Sequence, residues 1–195
     1  MKLWLILIAI AMLVAPTAFA HTGADSSAPN IATASADGEV DEVEAIAALL
    51  AHYHKIPDRR HLESVSDDAR QIIFDISRDD EAGPFFQRRA MKALVNWPDA
   101  ETFEYLTDVL NDETTDDGLR HHLLLVLANG YGEEALDTIK PYLFEASDPH
   151  LRISAGNAVS QIPGDRAYEM LTQALRAEQN PIVQSRLEQF APRLR

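Results

Sequence analysis

The sequence contains no cysteine among its 195 residues. This absence excludes disulfide bonds, zinc sites built on thiolates and the lipid-modified cysteine that tethers a bacterial lipoprotein. The chain must therefore fold by burying apolar surface, and a body of this size can bury enough of it without covalent crosslinks. An oxidising compartment remains compatible with such a protein.

Basic residues are also scarce. The chain carries 17 Lys and Arg against 31 Asp and Glu, which gives a formal net charge of −14. A surface this acidic repels phosphate backbones, so nucleic-acid binding is disfavoured. The apolar fraction of 46% and the charged fraction of 25% are ordinary for a globular protein, which excludes wholesale disorder and a multispanning membrane protein. One domain or a short repeat array fits the length.

The sequence signatures of common enzymes are missing as well. There is no Gly-x-Ser-x-Gly elbow, no Gly-rich phosphate loop and no His-Glu-x-x-His spacing. The acidic loop at 111–118 lacks the alternating carboxylates of a calcium loop, and helix capping explains Asp116 and Asp117. We therefore expect a non-enzymatic protein with no catalytic residues, no metal site and no cofactor.

The first 20 residues have the features of a secretory signal peptide. Lys2 precedes an apolar run from Leu3 to Val14, and the small-Phe-small triplet at 18–20 follows. The run is too short to span a bilayer comfortably, so we predict cleavage rather than retention as an anchor, and no stable membrane insertion afterwards. Residues 21–40 are small and polar and predict a flexible linker. We expect a periplasmic or secreted protein whose folded domain is 41–195.

An internal repeat of about 32 residues fills that domain. Segments that begin at Pro84, Asp117, Pro149 and Pro181 align with spacings of 33, 32 and 32 residues. Apolar side chains share columns at i, i+4 and i+7, which is one face of an α-helix. The columns are Phe86, Leu119, Leu151 and Val183; Ala90, Leu123, Ala155 and Leu187; and Ala93, Val126, Ala158 and Phe190.

A second helix follows in each repeat after a short break. Its columns are Phe103, Leu136 and Tyr168; Leu106, Ile139 and Leu171; and Leu110, Leu143 and Leu175. Neither helix can bury its apolar stripe alone, so neighbouring helix pairs must stack. The pattern predicts an all-α solenoid.

The two ends of the array differ from the middle. Apolar faces at 43–50 and 69–76 predict a first, divergent helix pair, joined by a long connection that carries Lys55, Arg59, Arg60 and His61. The helix that begins at Pro181 has no partner and is predicted to cap the C-terminal end. Pro141 lies inside a second helix, where it should kink or shorten that helix.

These features resemble HEAT repeats, and above all the short HEAT-like class known from phycobilisome lyases. The resemblance rests on the period, on Leu119-Arg120 and Leu151-Arg152 at the helix starts, and on Gly or Asp before the second helix. Gln87 and Gln184 depart from it, since Arg is usual there. The resemblance implies about four HEAT-like helix pairs that act as a scaffold. It leaves open a lyase-like accessory protein that handles a small ligand.

In HEAT solenoids the second helices line the concave side, so their solvent-facing positions are the candidate binding residues. We predict a partner-binding face made of Glu101, Glu104, Tyr105, Asp108, Glu134, Asp137, Glu169 and Met170. Equivalent positions stack, which gives a ladder of Glu104, Asp137 and Glu169. Such a face suits a protein partner or a basic peptide. The alternative is a solvated surface that keeps the protein soluble.

A metal-handling protein is a further alternative. His21 would be the first residue after cleavage, and His52, His54 and His61 lie in or near the long connection. The spacing of these residues does not put them on one helix face. We therefore interpret them as surface histidines.

Overall fold

The computed structural model describes residues 42–52 and 55–191. The predicted signal peptide at 1–20 and the predicted linker at 21–40 lie outside these residues. So do His54 and the last four residues of the chain.

Helices account for all the regular structure of the described ranges, which contain no strand. The α-helices are α1 Glu42–His52, α2 Arg59–Glu63, α3 Ala69–Arg78, α4 Gly83–Leu94, α5 Ala100–Asn111, α6 Asp117–Tyr131, α7 Leu136–Phe144, α8 Pro149–Val159, α9 Asp165–Ala177 and α10 Pro181–Phe190. Short 3₁₀ helices at Asp80–Ala82 and Gly132–Ala135 precede α4 and α7. The prediction of an all-α protein is confirmed.

The helices stack in two layers. The first helices of successive pairs contact one another, with α4 on α6, α6 on α8 and α8 on α10, and α1 extends this layer by packing on α4. The second helices α3, α5, α7 and α9 form the other layer, and each packs against first helices. This open-ended stack is the predicted solenoid, because every pair buries its stripe against its neighbours.

The helix starts are capped where the sequence predicts it. The Asp148 carboxylate accepts a hydrogen bond from the amide of His150, and Asn180 accepts from the amides of Ile182 and Val183. Asp116 caps α6 in the same way. A side-chain acceptor at this position satisfies amides that lack a partner within the helix, and proline at the first helical position loses no bond there.

The predicted columns form the core. The second and third columns of the first helices are fully or nearly fully buried, and so is the middle column of the second helices. The buried side chains fall into two clusters. The N-terminal core runs from Ile46 to Trp97, and the C-terminal core runs from Met91 to Phe190. Tyr105 packs against both.

A polar contact recurs at each junction between pairs. Arg120 donates from Nη2 to the carbonyl oxygen of Asp112 at 2.6 Å, and Arg152 donates from Nη1 to that of Ala146 at 2.7 Å. Gln87, at the equivalent position, donates to the Asp79 carbonyl at 3.1 Å. The Gln that departs from the repeat pattern thus satisfies the same kind of loop carbonyl as Arg does.

Three local features differ from or refine the sequence prediction. The long connection contains the short helix α2, whose Leu62 is buried. Glu134 lies in the 3₁₀ helix before α7 rather than in an α-helix. Helix α7 has nine residues, against 12 in α5 and 13 in α9, which agrees with the shortening expected from Pro141.

Candidate functional site

The candidate site is the exposed side of the second-helix layer. Six of the eight predicted residues are exposed carboxylates, and we call them the acidic face: Glu101, Glu104, Asp108, Glu134, Asp137 and Glu169. They lie on α5, on the turn into α7, on α7 and on α9. The other two predicted residues, Tyr105 and Met170, have different surroundings.

The prediction that Met170 faces solvent is wrong. Its side chain is 8% exposed and belongs to the C-terminal core. Ala167, Leu171 and Ala174 are buried with it, at the spacing of one helix face. The apolar stripe of α9 is therefore wider than the aligned columns indicate, and the flexible methionine fills the space at its edge.

Tyr105 is half-buried and joins two helices. Its hydroxyl donates to the carbonyl of Ser77 at 3.2 Å and accepts from the Ser77 hydroxyl at 2.9 Å. Its ring lies 5.4 Å from that of Phe74, centroid to centroid. Burial raises the pKa of Tyr105 above its usual value, so the hydroxyl remains protonated at neutral pH. These contacts fasten α5 to α3.

An arginine neutralises one end of the acidic face. Nη2 of Arg70 lies 2.9 Å from a carboxylate oxygen of Asp99 and 2.8 Å from one of Glu101. The hydrogen bond to Glu101 is the main reason that the pKa of Arg70 is raised. Burial opposes ionisation of Asp99, but hydrogen bonds from Thr102 and the charge of Arg70 outweigh it and lower the pKa of that carboxyl. Glu101 is therefore already paired within the chain.

A second arginine neutralises a carboxylate in the middle of the acidic face. Nη2 of Arg166 on α9 lies 2.6 Å from Oδ1 of Asp137 on α7, and both side chains are at least half exposed, at 50% and 74%. The hydrogen bond to Asp137 raises the pKa of Arg166. The predicted ladder of Glu104, Asp137 and Glu169 is thus interrupted at its middle member.

The repeat register shows what lies between these two ion pairs. Asp137 aligns with Glu104, and Arg166 aligns with Glu134, at spacings of 33 and 32 residues. In this register, the positions of Asp137 on α7 and Arg166 on α9 therefore correspond to those of Glu104 on α5 and Glu134 in the turn into α7. We call this pair of carboxylates the α5–α7 junction. No ion pair involves either carboxylate in the part of the chain that the structure describes.

Sequence analysis missed the role of the arginines. Neither Arg70 nor Arg166 is among the binding residues that the sequence predicts. Arg166 and Asp137 lie 29 residues apart, which is one repeat less about one helical turn, so comparing neighbouring helices across the stack would pair them. No periodic signal points to Arg70, because α3 belongs to the divergent pair.

Two open cavities lie away from the acidic face. One of about 340 Å³ is lined by Arg120, Pro141, Tyr142, Glu145, Ala146, Ser147 and Leu151. The other, of about 180 Å³, is lined by Leu143, Phe144, Arg152, Ala174, Ala177, Glu178 and Gln179. Neither contains Tyr105, Phe74 or Met170, the residues that a small-ligand site on this face would use. Arg120 and Arg152 are bound there to loop carbonyls.

Within residues 42–52 and 55–191, no group of three or more His, Asp or Glu side chains is placed to hold a metal ion. His61 is exposed at the end of α2. His21, His54 and the side chain of His52 lie outside the described structure.

None of the described helices combines the length and the apolar character that crossing a membrane requires.

Comparison with known families identifies one match. Residues 112–190 match the family described as HEAT repeats. The match covers α6 to α10, which are the most regular part of the stack. The fold is thus an all-α, HEAT-like solenoid. HEAT repeats generally mediate interactions between proteins and are generally non-catalytic. No curated protein matches the chain at a significant level of similarity.

Proposed function

We propose that this protein is a non-enzymatic interaction module that binds a basic segment of a partner protein on its acidic face. The α5–α7 junction carries the proposal. Arginines of the chain pair with Glu101 and with Asp137, whereas neither Glu104 nor Glu134 forms an ion pair within the described residues. A cation supplied by a partner would complete at this junction the pairing that Arg70 and Arg166 provide at its neighbours.

The chemistry favours arginine or lysine from a flexible segment. Carboxylates that lie close together repel, and a cation between them removes the repulsion while forming charge-assisted hydrogen bonds. A guanidinium can bond both carboxylates through its planar fork, so arginine fits better than lysine. One exposed ion pair contributes only ~0.2 to 1 kcal/mol, so stable binding needs several contacts along the face.

The net charge of the protein supports the same partner. A charge of −14 attracts basic segments over a long range and accelerates their encounter with the surface. Salt screens this attraction, with a Debye length of about 30 Å at 0.01 M and about 8 Å at physiological ionic strength. Binding should therefore weaken steeply as salt is added.

A charge-reversal experiment tests the proposal. Fluorescein-labelled peptides that alternate arginine with glycine are titrated with the protein, and anisotropy is measured at low and at physiological salt. Glu104→Lys combined with Glu134→Lys should weaken binding about tenfold or more, because it removes two attractive sites and adds two repulsive ones. Asp137→Lys should have a smaller effect, since Asp137 is already paired with Arg166.

The matched control reverses two exposed carboxylates elsewhere. Glu113→Lys with Glu188→Lys changes the net charge equally, in the loop after α5 and on α10. If this control weakens binding as much as the junction variant, the acidic face has no special role. Equal binding by all variants would contradict the proposal outright.

We propose further that the protein acts in the periplasm or outside the cell. The support is the leader at 1–20, with its basic residue, apolar run and small-residue cleavage site. Fractionation of cells that express the full chain, or the chain without residues 2–20, tests this. The full chain should be exported and shortened, and the truncated chain should remain in the cytosol.

A further inference from the structure

The first-helix layer differs in charge from the acidic face. Helices α4 and α8 contain no carboxylate, and α6 contains only Asp117, in its first turn. Helix α4 carries Arg88, Arg89 and Lys92, which we call the basic patch. Because the two layers pack against each other, their exposed sides point in opposite directions. The same molecule therefore displays a basic surface on one side and an acidic surface on the other.

Two cations of the basic patch are accessible and lie one helical turn apart. Lys92 is exposed and takes part in no ion pair among the described residues. The side chain of Arg88 is 39% exposed, and its contact with Asp116 is long, at 3.4 Å from Nη2 to Oδ1. Arg89 adds its charge but donates from Nε to the Leu50 carbonyl. Arg88 and Lys92, spaced at i and i+4, share one face of α4.

The neighbouring histidine reports a positive potential at this surface. Nε2 of His122 on α6 lies 3.0 Å from the Arg88 carbonyl oxygen. Burial lowers the pKa of His122, and the charges of Lys92 and Arg88 lower it further. Surroundings that disfavour another positive charge favour an anionic group. The basic patch thus suits carboxylates of a partner.

The acidic face presents two carboxylates at the same spacing. Glu104 and Asp108 are exposed on α5, and neither forms an ion pair in the part of the chain that the structure describes. Side chains at i and i+4 have Cβ atoms about 5–6 Å apart on any helix. A helix with two cations at this spacing and a helix with two carboxylates can therefore pair both charges at once.

We propose that the basic patch binds the acidic face of a second copy of this protein, with Arg88 and Lys92 opposite Glu104 and Asp108. This inference rests on the proposed function, because the second copy occupies the same acidic face as the basic segment of a partner. The contact joins unlike surfaces, so every complex still has one basic patch and one acidic face available. Copies therefore associate head to tail, and a basic segment that binds the acidic face releases them.

The net charge of −14 does not prevent this contact. At physiological ionic strength the Debye length is about 8 Å, which is much shorter than the distance between the centres of two such molecules. Repulsion between whole molecules is then largely screened, whereas charges in contact are screened less. Association should be strongest at intermediate salt, because repulsion dominates at low salt and the ion pairs weaken at high salt.

Sedimentation velocity tests the proposal. Wild-type protein should sediment faster as its concentration rises at about 0.15 M salt, and less so at about 0.01 M and about 1 M. Lys92→Glu should weaken the association about tenfold or more, because it adds a carboxylate where the partner copy presents carboxylates. Glu104→Lys combined with Asp108→Lys should weaken it similarly from the other side. Association of either variant at wild-type strength would overturn the proposal.

Mixing the two variants tests the head-to-tail arrangement. Lys92→Glu keeps an intact acidic face, and the variant with Glu104→Lys and Asp108→Lys keeps an intact basic patch. The mixture should form a complex of one copy of each that cannot grow further. Both variants remain negatively charged, so attraction between net charges does not explain such a complex. If the mixture contains only monomers, the proposed contact is wrong.

Arg186→Glu on α10 is the matched control. It makes the same change of net charge as Lys92→Glu on another first helix, outside the basic patch. This variant should associate as wild-type protein does, and an equal loss would show that net charge, rather than the basic patch, controls the association. Circular dichroism melts of each variant check that it is folded.

The arginine–glycine peptides of the charge-reversal experiment separate this inference from the proposed function. If a peptide binds the acidic face and disperses the wild-type complexes, both proposals are supported. If it binds but wild-type protein remains monomeric at every concentration and salt, only the self-association is refuted. If copies associate but no peptide binds, the basic segment is refuted instead. If neither binds, both proposals fail.

Discussion

The two ends of the solenoid are held together in different ways. From α6 to α10 the repeat is regular, and apolar columns with the Arg120 and Arg152 contacts join each pair to the next. The region from α1 to α5 includes the divergent first pair, and arginine and aromatic side chains contribute contacts between its helices. Cation–π contacts occur in this region, where Arg59, Arg70, Arg78 and Arg89 lie over aromatic rings.

The comparison shows that a regular repeat and a divergent one reach the same architecture by different contacts. Where helices repeat at constant spacing, small and branched apolar residues interlock. Where one helix pair departs from that spacing, long arginine side chains with planar guanidinium groups bridge the distance between neighbouring helices. The divergent end consequently carries arginine side chains stacked on aromatic rings, and Arg78 is one of them.

The largest expected effects come from matched core truncations in the two regions. Ile73→Ala in the N-terminal core and Ile139→Ala in the C-terminal core each remove a fully buried side chain. Each should lower the free energy of unfolding by about 3 kcal/mol. Hydrogen exchange should increase mainly in the pair that carries the substitution and in its neighbours, because each repeat contacts only the next. If hydrogen exchange increases at the same residues in both variants, the two regions are not held together in different ways.

The next largest effect distinguishes the polar contacts that Arg152 and Gln87 make between neighbouring helix pairs in the two regions. Arg152 is 15% exposed and binds Glu178, 9% exposed, at 2.8 Å as well as the Ala146 carbonyl. Arg152→Ala should cost about 2–3 kcal/mol, measured by urea unfolding, because it strands a largely buried carboxylate. Gln87→Ala, at the equivalent position, should cost about 1 kcal/mol or less, since it removes only neutral hydrogen bonds. Equal losses would contradict the distinction.

Lowering the pH should also weaken the stabilising contact between Arg152 and Glu178. Burial opposes ionisation of Glu178, but hydrogen bonds from Arg152 and from the amides of Asn180 and Gln179 outweigh it, so its pKa is lowered. The unfolded chain therefore binds a proton more readily than the folded one. The stability from Glu178 is present above its unfolded pKa of about 4.5 and is lost as pH falls through the folded pKa. When the melting temperature is measured against pH, Glu178→Gln should reduce its fall in the acidic range.

A smaller effect is expected where the two regions meet. Tyr105→Phe removes the hydroxyl that bonds Ser77 and should destabilise the protein by about 1 kcal/mol. Tyr142→Phe removes a comparable bond from α7 to the Leu110 carbonyl of α5, which joins the two regions. A double-mutant cycle between Ser77→Ala and Tyr105→Phe measures their coupling. A coupling energy of zero would show that this contact does not fasten α3 to α5.

The smallest effect concerns His122, between α4 and α6. Burial lowers its pKa, and the charges of Lys92 and Arg88 act in the same direction, against its bond to the Arg88 carbonyl. The unfolded chain is protonated first as pH falls below about 6.5, so stability should decline from pH 7 towards pH 5. His122→Gln should reduce this decline in thermal melts, and a steeper decline would contradict the assignment.

Much of the fold could be predicted from local signals. The caps at Asp148 and Asn180 and the stripes at i, i+4 and i+7 depend on neighbouring residues within one helix, and the structure confirms them. The burial of Met170 could not be predicted in this way. It depends on how closely the adjacent helices approach α9, and the aligned apolar columns of the repeat contain no information about that distance.

The candidate site was predictable in outline only. The exposure of its six carboxylates follows from the helical period. The partners of Glu101 and Asp137 do not, because Arg70 and Arg166 lie 31 and 29 residues away along the chain. Only the packing of neighbouring helices brings those charges together.

The sequence by itself determined the architecture of this protein, since a repeat that no single helix pair can bury must stack. The tertiary structure alone decided which charges are balanced and which remain available at the surface. Ion pairing depends on a few ångströms between side chains of different helices, whereas the apolar period depends only on the geometry of one helix. That physical difference is why the tertiary structure, and not the sequence, identifies the cations that pair with Glu101 and Asp137.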